Sequence, residues 1–555
     1  MKKPKLSEMT LREKIGQCLC IPQFDINVKS EVSRDIVRTK EEKDKLVSDY
    51  QFGTIWCHGR QRLDNIKDEA RLSHDFKITS KQYMGWVKDI EKNLNITPLK
   101  ALDGEVGGAG FTFCDLSKIP NAISIGASDD EQLIYDLGVA VAKEYKCAGL
   151  NWKWTPVCDL ACRFTHGMMR TYSQDIDKLI RFSNAHVQGM QSVGVAATVK
   201  HFPSTDKYEY RNAHFTTATN SCTMEEWWEE QGMIFQSLID KGVWSIMTTH
   251  ATFPACDDTK VNGKYLPATI SKKITTDLLK EKMGFKGVVV TDNIKMGGLM
   301  GYYEHDDLIV EIMKAGNDVI LSCDPHDTLV LEKAVLDGRL EESRIDDACS
   351  RVLDMKEKMG LFDDDYDLEK YKAEDVVPHT QELIETSARK AIHLLYDNNK
   401  MLPLDKDKVK NIAIVCFTHL EPFYDHTLPL LKAELEKRGA NVHLQRGLSD
   451  YAEVKKLAEE NDVIIYAAHL GGEVGFYGEE CHSLQFAFSS GNEKSLGVSF
   501  EYPYIHYDFM TGANTFINTH TDSAEVIAAF AQAIYGEIPF EGKSPVSLEP
   551  TRRTW

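Results

Sequence analysis

Between about residue 10 and residue 355, short apolar runs rich in β-branched residues alternate with amphipathic stretches of helical length. The runs include Ala-Ile-Ser-Ile-Gly (122–126), Gly-Val-Ala-Ala-Thr-Val-Lys-His-Phe (194–202), Trp-Ser-Ile-Met (244–247), Gly-Val-Val-Val-Thr-Asp (287–292) and Asp-Val-Ile-Leu (318–321). Helix-like segments lie between them at 129–147, 175–193, 224–241 and 272–283. Near-continuous apolar strands separated by helices imply a parallel sheet covered on both faces. Several such units in succession favour closure into a TIM-like β/α barrel over an open sheet.

A chain of 555 residues exceeds one ordinary core and has room for a barrel plus one smaller domain. The barrel is expected over 1–355 and a linker over 356–405, with an acidic patch at Phe-Asp-Asp-Asp-Tyr-Asp and a turn at Asp-Asn-Asn-Lys. A smaller α/β sandwich domain is expected over 406–555. It opens with Asn-Ile-Ala-Ile-Val (411–415), continues through an amphipathic helix at 427–438 and a strand at 462–466, and reads as a loop at 471–475.

Charge narrows the choice of partner. Lys and Arg total 65 against 85 Asp and Glu, a formal charge of −20 with no basic stripe, which disfavours nucleic acid and anionic membranes. No run of 18 apolar residues occurs, and the start MKKPKLSEMTLREKIGQ lacks the apolar stretch of a signal peptide. The 13 cysteines are scattered without CxxC pairs, and HExxH is absent. These features point to reduced thiols, a cytoplasmic location and no zinc site.

In a barrel, chemistry sits at the carboxyl ends of the strands, which draws attention to Asp103, Lys200, His201, His250 and Asp292. Asp292 closes the strand Val-Val-Val-Thr, where a fixed carboxylate can face a sugar's anomeric carbon. A retaining glycosidase needs such a nucleophile, held ionised by donors and cations, and a second group that gives and retakes a proton. An aspartate capping a following helix would look the same in the sequence, and the two readings stand about even on these residues.

Further strings recur in order: Met-Thr-Leu-Arg-Glu-Lys-Ile-Gly-Gln (9–17), Ala-Leu-Asp-Gly-Glu (101–105), Trp-Thr-Pro-Val-Cys-Asp (154–159), Lys-His-Phe-Pro (200–203), Pro-Ala-Thr-Ile-Ser (267–271) and Gly-Phe-Lys-Gly-Val-Val-Val-Thr-Asp (284–292). With these, residues 10–325 resemble family 3 glycoside hydrolases, with an echo in the second domain near 514–548. Lys-His-Phe-Pro with Pro-Ala-Thr-Ile-Ser is most similar to the β-N-acetylhexosaminidase branch. The resemblance implies Asp292 as nucleophile, and Asp103, Arg170, Lys200 and His201 as sugar-binding residues. It places His250 and Met296 near the sugar pocket.

The same resemblance implies an Asp-x-His dyad in a loop after Lys-His-Phe-Pro, the histidine being acid/base. Here His214 matches, but Asn212 stands where the aspartate is expected, and Ser204-Thr205 where glycine is expected. An amide orients an imidazole without adding charge. Asp206 or Glu209 in the same loop is a candidate to replace the missing carboxylate. Other branches of the family carry a glutamate acid/base on the second domain, which makes Glu473, Glu479 and Glu480 lesser candidates.

The leading expectation is an exo-acting β-N-acetylhexosaminidase-like enzyme that works on a small carbohydrate through a glycosyl-Asp292 intermediate, with no metal or organic cofactor. The alternatives are a β-glucosidase, β-xylosidase or phosphorylase of the same family. A non-catalytic sugar-binding descendant is a further one, suggested by amides at 212 and 293.

Overall fold

The computed structural model describes residues 2–27, 37–57, 78–105, 113–160, 163, 165, 167–418, 420–470 and 479–548. It divides into two compact units. The first comprises 1–119, 134–160 and 179–380; the second comprises 120–133, 161–178 and 381–555.

The first unit is a β/α barrel. Its strands are β1 (Leu19–Pro22), β2 (Thr54–Trp56), β3 (Leu99–Leu102), β4 (Trp152–Lys153), β5 (Ala196–Phe202) and β6 (Ser245–Thr248). After a small antiparallel hairpin of β7 (Lys260–Val261) and β8 (Lys264–Tyr265) come β9 (Val288–Thr291) and β10 (Ile320–Leu321). The parallel order is β10-β1-β2-β3-β4-β5-β6-β9, and a bridge between Val290 and Val319 brings the two edges together. All residues of β1, β2, β3, β5, β6 and β9 are buried, as strands covered on both faces require. Trp152, Trp154, Met247, Val288 and Val290 share one interior cluster, with Trp154 packed 5.8 Å from Trp152 and 5.9 Å from Trp56. The interior is therefore a filled core, and chemistry is left to the strand ends.

The helices follow the expected segments closely at Glu131–Cys147 and Ile176–Ser192. The stretch 224–241 is two helices, Met224–Glu229 and Gln231–Asp240, broken at Glu230. The segment Lys273–Lys282 is wound as a π-helix.

One element is corrected. Residues 122–126, read as a strand, form the helix Ala122–Ala127. A short apolar run carries no period long enough to separate buried helix from buried strand, and packing decides. Ile123 joins the core of the second unit, and a Cβ on Gly126 would lie 1.9 Å from the Tyr172 carbonyl oxygen, so the helix packs where only glycine fits.

The second unit is built on β11 (His393–Asp397), β12 (Asn411–Thr418), β13 (Asn441–Arg446), β14 (Val463–His469), β15 (Ser495–Ser499) and β16 (Thr515–Asn518). Their order is β11-β16-β15-β14-β12-β13, parallel except for the antiparallel β11. Alternate residues of β12 feed separate clusters on the two faces, Ile412, Ile414 and Cys416 on one and Ala413, Val415 and Phe417 on the other. Helices cover both faces, which makes an α/β sandwich. The stretch 356–405 holds the helix Ala373–Ala391 as well as β11. The loop expected at 471–475 lies outside the described residues.

Candidate active site

The polar residues of the barrel converge at the carboxyl ends of β3, β4, β5, β6 and β9. Lys200 is buried near the end of β5, and its Nζ lies 3.0 Å from Asp103 Oδ1 and 2.6 Å from Glu105 Oε1, both just past β3. The β5–β6 register slips by one residue between Lys200 and Phe202. Consecutive side chains of an unbroken strand point to opposite faces. The slip lets Lys200 and His201 both reach polar groups at neighbouring strand ends. Beside this cluster Lys153, the last residue of β4, is also buried and donates to Thr155 Oγ1 at 2.9 Å. Burial pulls its pKa from 10.5 down to about 7, Lys200 works in the same direction, and Glu105 and Asp103 oppose the fall.

His201 stands between two carboxylates. Its Nδ1–H donates to Asp159 Oδ2 at 2.6 Å, and its Nε2 faces Asp292 Oδ2 at 3.9 Å. Asp159 also accepts from the His201 backbone N–H at 3.3 Å and from the Ser204 hydroxyl at 2.8 Å. The carboxylate thereby fixes the ring's orientation and its tautomer. Asp292, directly after β9, keeps 17% of its side chain exposed. Its backbone N–H donates to the Thr248 carbonyl at 3.0 Å, and its Oδ1 accepts the Asn293 N–H at 2.7 Å. Burial alone would raise its pKa. The facing His201, His250 and Lys200 and the Asn293 N–H outweigh that and hold the carboxyl below the ordinary aspartate range.

His250, expected against a sugar, lies buried beneath Asn293 with both ring nitrogens engaged. Nε2 donates to the Asn293 carbonyl at 2.8 Å, and Nδ1 meets the Thr269 hydroxyl at 2.8 Å. Burial drives its pKa down against the pull of Asp292 and the Asn293 carbonyl, which keeps it a neutral donor. The Asn293 carbonyl also accepts from the Met296 N–H at 3.1 Å, and the Met296 side chain is buried. His250 and Met296 thus brace the turn that follows Asp292.

The loop bearing His214 is bound to that same turn. Gly297 N–H donates to the His214 carbonyl at 2.9 Å, Gly298 N–H to the Ala213 carbonyl at 3.2 Å, and the Thr217 hydroxyl to the Gly298 carbonyl at 3.0 Å. The approach is so close that a Cβ on Gly297 would lie 2.5 Å from the Phe215 carbonyl oxygen, and one on Gly298 2.7 Å from that of Ala213. The partner of the exposed His214 ring is Asn212, whose Oδ1 accepts Nδ1–H at 2.7 Å and the His214 backbone N–H at 2.9 Å.

Asp206 and Glu209 do not take that place. Asp206 accepts from the Tyr208 N–H at 2.8 Å and from the Ser221 hydroxyl. Glu209 binds the Arg211 guanidinium and accepts the Thr219 N–H at 2.9 Å. Burial raises the Glu209 pKa, but those bonds more than offset it and leave it lowered.

Arg170 belongs to the second unit, where its N–H donates to the Gly167 carbonyl at 3.0 Å. Glu473 lies outside the described residues, as do the side chains of Glu479 and Glu480. Two carboxylates at the strand ends were not singled out from the sequence, Glu105 and Asp159. Both sit inside the ordered strings, in Ala-Leu-Asp-Gly-Glu and Trp-Thr-Pro-Val-Cys-Asp, and a strand-end carboxylate within such a string was the signal available. Among the described residues, no group of three or more His, Cys, Asp or Glu is arranged to hold a metal ion.

A filled parallel barrel with acids, histidines and a lysine gathered at its carboxyl end defines an enzyme of the TIM-barrel class. The family model described as "Glycosyl hydrolase family 3 N terminal domain" matches residues 10–355, and the chain belongs to that family. It is a glycosidase, in line with its named relatives. It is 25% identical over 476 residues to a β-N-acetylglucosaminidase/β-glucosidase of Cellulomonas fimi, covering 79% of this chain and 82% of that one. It is 28% identical over 247 residues to a β-hexosaminidase of Psychromonas ingrahamii, covering 44% and 71%. Among solved structures, a β-glucoside phosphorylase superposes with a TM-score of 0.80 at 24% identity, covering 98% of this chain and 94% of that one, which is a likeness of fold. Among the described residues, no helix is long and apolar enough to cross a membrane.

Proposed function

We propose that the chain is a retaining, exo-acting glycosidase of β-N-acetylhexosaminidase type. Asp292 is the nucleophile and His214 the acid/base. The observation that carries this reading is the hydrogen bond from Gly297 to the His214 carbonyl, which ties the histidine loop to the turn five residues beyond Asp292. In the first displacement Asp292 Oδ2 bonds to the anomeric carbon. The glycosidic bond breaks, and the leaving oxygen takes the proton on His214 Nε2. Asn212 holds Nδ1–H throughout and stays neutral. In the second displacement water attacks the anomeric carbon, its proton returns to Nε2, and the sugar–Asp292 ester breaks. Lys200, Asp103 and His201 meet the sugar's hydroxyls, and His250 and Met296 position the nucleophile's turn. No metal or organic cofactor enters these steps.

The test is Asp292→Ala on an aryl β-N-acetylglucosaminide. Hydrolysis is expected to disappear with the fold intact, and added azide to yield the α-glycosyl azide. Undiminished turnover refutes the assignment.

A second reading is favoured by one feature. The partner of His214 is a neutral amide, so the dyad lacks a negative charge that would repel an anionic acceptor. Phosphate in place of water would give a sugar 1-phosphate. A β-glucoside phosphorylase is among the solved structures that share the fold. Initial rates with and without phosphate, with the sugar product identified, separate hydrolysis from phosphorolysis.

A further inference from the structure

The loop that follows β5 exposes three aromatic rings while burying the side chain of one of its acids. Glu209 is largely buried, holding Arg211 and the Thr219 N–H, and Asp206 binds Tyr208 and Ser221. Tyr208 and Tyr210, on either side of Glu209, are 69% and 74% exposed, and Phe215, next to His214, is 81% exposed. Met300, three residues past the Gly297 clamp, is 58% exposed. Single exposed apolar residues are common on protein surfaces. Here three aromatic rings stand on one loop whose backbone is fastened by internal hydrogen bonds. That loop is fastened in turn to the segment carrying Met300. Its two basic side chains are already matched, Arg211 by Glu209 and Lys207 by Glu230.

We infer that Tyr208, Tyr210 and Phe215 form a platform for a second, uncharged pyranose ring, the leaving-group sugar of the substrate. This rests on His214 as proton donor. Its proton goes to the glycosidic oxygen, so whatever lies beyond that oxygen passes beside the residues flanking His214. A pyranose presents a face of C–H groups that packs on aromatic rings, and equatorial hydroxyls that tyrosine can meet. With Arg211 and Lys207 already paired, the loop has little to offer an anionic partner. The substrate is accordingly a disaccharide or longer chain cut at its non-reducing end.

The test compares two donors with the same non-reducing sugar, N,N′-diacetylchitobiose and methyl β-N-acetylglucosaminide, on the full chain. The ratio of their kcat/KM values is expected to fall about tenfold in Tyr210→Ala and in Phe215→Ala, and further in the triple variant Y208A/Y210A/F215A. The exposed positions leave folding unaffected, which thermal unfolding checks. An unchanged ratio in the triple variant overturns the platform, as does an unchanged ratio with loss of self-association, which would assign the surface to a second copy of the chain. A wild type that turns over neither donor refutes the catalytic reading, and calorimetry then decides the platform separately. Disaccharide bound about tenfold more tightly than the methyl glycoside, with the advantage lost in the triple variant, upholds it. Equal affinities overturn it.

Discussion

Gly297→Ala tests how closely the histidine loop must sit to the turn after Asp292, the proposed nucleophile. The added Cβ would meet three backbone atoms of Phe215: the carbonyl oxygen at 2.5 Å, the carbonyl carbon at 2.7 Å and Cα at 3.1 Å. None of these can rotate away as a side-chain tip can. Ordinary contact begins near 3.4 Å, so the Phe215 carbonyl must retreat by about 0.9 Å, the difference between 3.4 and 2.5 Å. The neighbouring His214, held by the 2.9 Å bond from Gly297, must move with it. Overpacking of this kind costs roughly 1–3 kcal/mol of stability. A displacement near 1 Å at a reacting group costs on the order of 100-fold in rate.

The loss has a signature. A methyl glycoside needs its leaving oxygen protonated, whereas a dinitrophenyl glycoside does not. The kcat/KM for the methyl glycoside should fall about 100-fold and that for the dinitrophenyl glycoside only a few-fold. Equal losses on both substrates, or none on either, would refute the view that Gly297 serves the proton donor.

Two further predictions concern the charges at the strand ends. Lys200→Met leaves Asp103 and Glu105 facing one another without the cation between them. Denaturant unfolding should show a loss of about 3 kcal/mol, partly restored when Glu105→Gln is added; a single variant as stable as the wild type speaks against the triad. Lys153 has a pKa of about 7 in the folded chain against 10.5 for the free side chain. Between those values the unfolded chain holds the additional proton, so this residue makes stability rise with pH from about 7 to 10.5. Lys153→Met should therefore be more stable than the wild type by about 2–4 kcal/mol at pH 6, with the difference fading as pH approaches 10.5. A difference constant across that range is inconsistent with a buried, titrating Lys153.

The second half of the barrel was legible along the chain, because β5, β6, β9 and β10 lie in runs of buried apolar residues and the helices Glu131–Cys147 and Ile176–Ser192 show their period. Those signals are local, and they placed Lys200, His201 and Asp292 at strand ends before any contact was known. The run at 122–126 misled for the same reason: four or five apolar residues state burial and leave the element open until a core claims them, here the second unit's.

What only the tertiary structure decided is which of these groups meet. Asp159 and His201 are separated by 42 residues, Lys200 and Asp103 by 97, and their pairing depends on the order of strands around the barrel. The partner of His214 was open among Asn212, Asp206 and Glu209, and it was settled by which side chains the loop's own hydrogen bonds had already occupied. Residue type and burial are written in the sequence because they act through each residue's own transfer from water. Hydrogen-bond partners are not, because a carboxylate binds whichever donor the folded backbone brings within about 3 Å.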